Sequence, residues 1–451
     1  MKKNLPVENP NGVLGRKDVM GMAVGQIIGS GIMALTGLAI GYTGKGLVFA
    51  FLLAAVLTTC YNIPLILFGG TVPLKGGFYS QAGHLLGKKF SGAFAIVWIC
   101  SNVVIAMYPL AFADYFLSLV PGINRKLIAM VVLTVVFLLN LFGVKGAALV
   151  QNLMVVCLAA ALALFVGFGL VQVDVPAFFT SGGFAPNGVM GFLTAATLLT
   201  MATGGASSMI NLTAKCKNPT RDIPFVAVVA TIIVALVYAV MGIVASGVLP
   251  IDVVANQPLT LVAAEILPKP LFVFFIVGGA LFAIATTLNS TLNWVPLPFM
   301  QACEDGWFPK ACAKTNKYGA PVFVFAVLYV LNAAAIVTGF DINVISSVYL
   351  VLGNAFYIFT AFAIFRLPRI FPNRWAASRF HLPKPALYAA ALIGGCAEAL
   401  ICLTQMGTLS TPLILANVVF CALAFLYAAW REKHADVHLE YIEDVPDGVV
   451  K

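Results

Sequence analysis

Charge is scarce in this chain. Of 451 residues only 10% are Asp, Glu, Lys or Arg, against 61% apolar, and the mean hydropathy is +0.99. Few soluble chains approach that balance, so length does not argue here for two or three soluble domains, and the chain reads as a membrane protein. Nucleic-acid binding is disfavoured with it, because the net charge of +9 has no soluble domain on which to form a patch. Histidine is rare, with four copies. The cysteines, Cys60, Cys100, Cys157, Cys216, Cys303, Cys312, Cys396, Cys402 and Cys421, show no CxxC spacing, so they read as reduced and mostly buried rather than as metal ligands or disulfides. Paired carboxylates, a nucleophile elbow, HExxH and a P-loop are all missing, which argues against an enzyme and against an ATP-driven pump.

Long apolar runs fill the space. A span needs about 20 consecutive mostly apolar residues, and twelve runs qualify: 17–43, 46–69, 90–120, 127–142, 146–172, 188–213, 225–248, 270–299, 321–339, 344–365, 386–405 and 412–430. The expectation is an all-α integral membrane protein whose partner is the lipid bilayer, with a retained N-terminal segment at 1–16. Basic residues stay on the cytoplasmic side. Placing both termini there leaves only Lys45, Arg125, Lys126 and Lys269 outside and the other 22 of 26 inside, which predicts a plasma-membrane protein with cytoplasmic ends. The tail at 431–451 reads as a solvated, disordered segment without a function.

Two charges lie well inside the runs, where charge is costly and tends to be functional. Asp114, in AFADYF, falls toward the outer end of span three and is expected at the interface or in a vestibule. Glu398, in CAEAL, sits in the middle of span eleven, where a structural role competes with that of a proton carrier.

Glycine interrupts two spans in matching places. Span one reads VGQIIGSGIMALTG, with Gly29-Ser30-Gly31 at its centre, and span six reads LLTMATGGASSMINL, with Gly204-Gly205. Glycine weakens a helix, and freed backbone groups in a membrane are tolerated only where they line a cavity or find protein partners. The breaks recur five spans apart, so two five-span halves, 17–172 and 188–365, would enter the membrane from opposite sides with a midplane binding site, and 386–430 would add two spans. Close packing through small residues is the bland alternative. Discontinuous helices offer N–H groups to an anion and carbonyls to a cation, and an α-amino acid zwitterion has both charges.

GQIIGSGI (25–32), PLKGGFYSQAGHLLG (73–87), GVKGAALVQN (143–152), KNPTRDIP (217–224) and PLPFMQACEDGWFP (296–309) together resemble the amino acid-polyamine-organocation permeases, over nearly the whole chain. The resemblance implies the leucine-transporter type of fold: twelve helices, a 5+5 inverted repeat with spans one and six discontinuous, and spans eleven and twelve outside it. It implies a secondary carrier for an amino acid. Its carboxylate site falls on Gly29, Ser30 and Gly31, and its amine site on the carbonyls of Ile27, Met201 and Gly204, with Gly205 beside them. Its side-chain contacts fall on Ser101, Ile105, Tyr108, Met201 and Thr291. None is acidic, which favours a substrate with a neutral side chain, although Asp114 would serve a cationic one if span three bent inward.

For the coupling ion, the broader fold places sodium between spans one and eight. The matching positions are Gly25, Ile28, Ala283, Thr286 and Thr287, where five oxygens suit a hard cation. The bland alternative is two threonine hydroxyls bonded to carbonyls one turn earlier. A lysine found in many proton-coupled or uncoupled members corresponds to Cys157. Sodium symport, exchange without an ion and proton coupling all stay open. The chain departs from the pattern at Gln26, Thr36, Met201 and Ser207, the last two standing where an aromatic gate and a glutamate are common, and at Ala214-Lys215. No cofactor beyond the ion is expected. Lys215, Lys217 and Arg221 in the basic loop would orient the protein and, on a second reading, gate it.

Overall fold

The computed structural model describes residues 12–142 and 147–445, so the motif at 143–152 falls partly outside the described residues. In hydrocarbon the backbone must satisfy its own N–H and C=O groups, and the apolar runs accordingly fold as helices. Among the described residues nine helices are long and apolar enough to cross a membrane: Arg16–Thr43, Leu47–Gly69, Lys88–Leu117, Gly188–Leu212, Pro219–Gly247, Lys269–Glu304, Ile342–Ile370, Lys384–Met406 and Thr411–His434. Arg125–Leu141 and Val322–Thr338, of 17 residues each, and Ala147–Gln172 occupy the three remaining expected positions. At 1.5 Å per residue a 17-residue helix reaches about 26 Å, the short end for a span.

Spans one, six and three are irregular near the centre of the bundle, and span eight carries a π-helical stretch at Phe275–Leu281. Span one breaks between Arg16–Ile27 and Ser30–Thr43, and span six passes from the α-helix Gly188–Thr203 into a 3₁₀ stretch, Gly204–Lys215. Span three tightens to 3₁₀ over Asn102–Ala106. The altered backbone there is satisfied from span nine, where Asn332 accepts from the Ala106 N–H at 2.7 Å and donates to the Asn102 carbonyl at 3.2 Å. The largest core surrounds these irregular segments and includes Ile27, Ile32, Ile105, Tyr238 and Ile284, all fully buried. On the perimeter Leu236, Leu415, Val418, Leu423 and Leu426 are exposed, as side chains turned toward lipid should be.

The face of the bundle that carries both ends of the chain is tied by them. The Leu14 N–H donates to the Lys215 carbonyl and the Lys217 N–H to the Leu14 carbonyl, both at 2.9 Å, and Arg16 and Arg221 both pair with the buried Asp222.

The tail differs from expectation. Span twelve continues to His434, and residues 435–445 lie as an ordered strap across this face. Glu440 accepts from the backbone of Lys75 at 2.9 Å and from Ser80 at 2.5 Å, the Asp305 carbonyl accepts from the His438 N–H, and Asp444 accepts from the N–H groups of Asn373 and Arg374 at 2.9 Å. Val437 is buried. The carboxylates of Glu440 and Asp444 fill N–H groups at a turn and at a helix start, so residues 435–445 are not the solvated segment expected. Beneath the strap Tyr79 and Gln301 donate to the Asp305 carboxylate at 2.7 and 2.8 Å, while burial pushes its pKa up to about 6.

Candidate substrate cavity

The span-one break is a real interruption. Ile28 (φ −76°, ψ 81°) and Gly29 (φ −151°, ψ −130°) leave the helical region, and the helix restarts at Ser30 with its N–H groups at the break. A side chain has no room here. A β-carbon on Gly29 would lie 1.7 Å from the Thr287 hydroxyl, and one on Gly31 would lie 2.6 Å from Cα of Ala202 on span six. Span six changes pitch instead: Gly204 stays near helical geometry (φ −85°, ψ −5°), and Ser207 and Ser208 donate at 2.7 Å to the carbonyls of Gly204 and Gly205. A β-carbon on Gly205 would lie 2.9 Å from the Gln26 backbone. The glycines therefore do two things, close packing of spans one and six and interruption of the helix.

A cavity opens beside both breaks. Ile27, Gly31, Tyr108, Met201, Gly204, Gly205 and Thr291 line it, and so does Thr287. Its wall reaches the strapped face at Phe78 and Gln81, on the short helix Phe78–Leu86 that Glu440 helps to fix. Toward the opposite face Tyr115 closes the bundle, donating to the Met33 carbonyl at 3.1 Å and accepting from the Leu259 N–H at 3.3 Å.

The other expected positions fall elsewhere. Gly29 is buried against Thr287 and Ala283 rather than on the cavity wall, and Ser30 begins the second half-helix, with its side chain outside the described residues. Ser101 does not line the cavity, because its hydroxyl donates to the Trp98 carbonyl at 3.0 Å. Ile105 sits on the tightened 3₁₀ turn of span three, fully buried in the core; the change of pitch displaces it from the wall that Tyr108 reaches. Of the amine-site carbonyls, that of Ile27 already accepts from the Tyr238 hydroxyl at 2.6 Å and the Gly29 N–H at 2.9 Å, and that of Gly204 accepts from Ser207. A carbonyl has two lone pairs, so Ile27 has none free, and Gly204 has at least one engaged.

Where spans one and eight meet, Thr286 and Thr287 both donate to the Ala283 carbonyl at 2.9 Å, the back-bonded arrangement of the bland alternative. Gly25 is buried and Ile28 partly so. Asp114 is taken by a bidentate pair with Arg125, at 2.5 and 2.7 Å, and lines a separate recess toward the opposite face with Asp341 and Asn343. It is not available to a substrate in the central cavity.

The cavity also has walls that the sequence motifs do not mark. Tyr61 and Asn62 from span two, Trp294 from span eight, Tyr349 and Tyr357 from span ten and Glu398 from span eleven line it. Several polar atoms on this wall are buried without a hydrogen-bond partner: Gln26 Oε1, both amide atoms of Asn62, Trp294 Nε1 and Glu398 Oε2. Orphaned polar atoms cost stability unless something fills them, and a cavity carrying this many suits a polar guest. Polar residues inside apolar runs were the available signal, as in CYNIP of span two.

A broken span at the wall of a polar cavity deep within a helical bundle is the arrangement that the sequence resemblance implied, and a model of the amino acid permease family matches residues 14–430. The chain belongs to that family. Permeases are transporters and not enzymes. Among its relatives, a methylthioribose transporter from Bacillus subtilis (strain 168) is 26% identical over 66% of this chain and 68% of that one. The branched-chain amino acid permease BcaP of the same organism is 26% identical over 55% and 58%. The vacuolar cationic amino acid transporter 4 of Arabidopsis thaliana is 24% identical over 65% and 52%. The chain is thus an integral membrane protein of a family that transports amino acids, and its relatives differ in what their names say they carry.

Proposed function

We propose that this permease is a secondary transporter that moves an amino acid with a neutral side chain by alternating access. One observation carries the reading: the second half of span one starts at the break, and Gly31 in its first turn lines the cavity. N–H groups there suit the substrate carboxylate, and the carbonyls of Gly204 and Met201 suit the ammonium. A neutral side chain follows from what surrounds the breaks, where Tyr108, Met201 and Thr291 carry no charge. A cationic side chain without a partner there would cost several kcal/mol. The 5+5 inverted repeat, the cytoplasmic placement of both termini and the plasma-membrane location belong to the same proposal, supported by the basic-residue bias. In that orientation the cavity faces the cytoplasm. Reconstituted protein should exchange a labelled neutral amino acid for unlabelled substrate inside the vesicle, with neutral amino acids competing better than lysine or arginine. Stronger competition by lysine would refute the neutral side chain.

Sodium is a second reading for the driving ion. A β-carbon on Gly29 would lie 1.7 Å from Thr287 Oγ1 and 3.4 Å from the Ala283 carbonyl, so oxygens of span eight converge on the span-one break. If sodium binds there with the Gly25 and Ile28 carbonyls and Thr286, choline in place of sodium should abolish concentrative uptake and Thr287→Ala should weaken sodium activation.

A further inference from the structure

Among the described residues Glu398 is the one acid on the wall of the central cavity. It projects from span eleven, Lys384–Met406, is 3% exposed, and its Oε2 has no hydrogen-bond partner. Among the described residues no Lys, Arg or His forms an ion pair with it. The groups that face it are neutral. Span two contributes Cys60 and Tyr61, span ten contributes Tyr349 and Tyr357, and the stretch Gly188–Thr203 of span six holds no titratable side chain. On its own helix Cys402 is buried and Cys396 faces outward. Arg366, on the turn packed against the helix, donates instead to the Leu85 carbonyl.

A carboxylate removed from water with no cation beside it is unfavourable by several kcal/mol, and removal of the charge is the usual escape. The position also communicates with the break. Tyr61 lies on the same wall, and Ser207 donates to the Gly204 carbonyl, where a substrate ammonium would bind. A β-carbon on Gly204 would lie 2.2 Å from the Tyr61 hydroxyl, so the wall that carries Glu398 reaches the span-six break.

We propose that Glu398 carries the proton that drives this transporter. Its carboxylate forms an O–H bond with a proton from water while the cavity opens to one side, and loses that proton to water when the cavity opens to the other; nothing is oxidised or reduced. The proposal rests on the carrier reading and competes with sodium as the driving ion. A proton fits the site because it needs a single oxygen. Sodium needs a shell of several oxygens and an ammonium three acceptors.

The full chain is reconstituted into sodium-free proteoliposomes and given labelled L-leucine, L-serine and L-alanine, with or without an inward proton gradient of about one pH unit, while a trapped dye reports internal pH. One pH unit supports about tenfold accumulation at one proton per substrate. The wild-type protein should accumulate substrate only with the gradient and should acidify the lumen as it does. For Glu398→Gln the ratio of uptake with and without the gradient should fall to about one and the acidification should vanish, while Glu398→Asp should keep a ratio well above one. Wild-type uptake that ignores the gradient, including uptake that requires sodium, overturns the proposal whether or not the Gln variant folds, and so does a Gln variant that still accumulates. Preference of the wild type for lysine that is lost in Glu398→Gln would overturn it in favour of a side-chain ammonium site. Wild-type protein that fails even to exchange these amino acids across the vesicle would refute the carrier reading itself, and the proposal with it.

Discussion

The two glycine breaks look alike in the sequence and differ in the structure. At Gly29 the chain leaves helical geometry for two residues and a new helix starts. At Gly204 it stays near helical values and tightens into 3₁₀. The surroundings explain the difference. Gly29 is wedged against span eight, with a hydroxyl and a carbonyl where a β-carbon would be, whereas Gly204 faces only the end of the Tyr61 side chain. A glycine pair marks a possible break, and the neighbours decide whether the backbone opens or changes pitch. Span one presents the start of a new helix at its break, and in span six the carbonyls of Gly204 and Gly205 accept from its own serines.

The sharpest way to break this contrast is at Gly29. Alanine there brings a β-carbon to 1.7 Å from Thr287 Oγ1, and the Thr287 Cβ at 3.1 Å leaves little space even after the hydroxyl turns. Overpacking of this kind costs about 1–3 kcal/mol. Gly29→Ala should lower the melting temperature of the detergent-purified protein and abolish uptake. Adding Thr287→Ala removes the hydroxyl and should recover part of the stability, so non-additivity in the melting temperatures of the four proteins would locate the clash. A stable, active Gly29→Ala protein would show that the span-one break is not needed.

Gly31→Ala and Gly205→Ala come next. Their β-carbons meet backbone rather than a movable side chain, Ala202 Cα at 2.6 Å and the Gln26 carbonyl carbon at 2.9 Å. Spans one and six must separate to admit them. Both variants should lose most uptake, and Gly31→Ala should also weaken the thermal stabilisation given by substrate, since Gly31 lines the cavity. Equal loss of substrate stabilisation in the two would mean that packing, and not contact with the guest, is what Gly31 provides.

These contrasts also show where the sequence was informative. Apolar length and the Gly29-Ser30-Gly31 break were legible because hydrocarbon tolerates few alternatives to helix and an interruption needs glycine. Tyr108, Met201, Gly204, Gly205 and Thr291 line one cavity. Ser101 and Ile105 do not, because span three changes pitch between 102 and 106 and a helical projection assumes constant pitch. Asp114 could not be assigned until Arg125, eleven positions on, was seen to fold back on it. Glu398 was visible as a charge in an apolar run, but its place on the wall depends on how span eleven packs against spans two and ten, which no local pattern encodes. The strap at 435–445 reads in sequence as a solvated tail because the N–H partners of the Glu440 and Asp444 carboxylates lie between 70 and 365 residues away in the chain.

The smallest effect is expected at Gly204. The nearest obstacle to a β-carbon there is the Tyr61 hydroxyl at 2.2 Å, the movable end of a long side chain, and the next atom, Cζ of the same ring, is already 3.6 Å away. Gly204→Ala should therefore fold with a modest loss of stability, about 1 kcal/mol or less given a rearrangement confined to one side chain. The loss should vanish in the double variant with Tyr61→Phe, which deletes the colliding oxygen, whereas Tyr61→Phe alone removes one hydroxyl from the cavity wall and should be close to neutral. Melting temperatures of the four proteins close the cycle, and the coupling should be favourable in the double variant. If Gly204→Ala instead matches Gly29→Ala and Tyr61→Phe gives no relief, the backbone at 204 requires glycine for its own conformation, and the two breaks are alike after all.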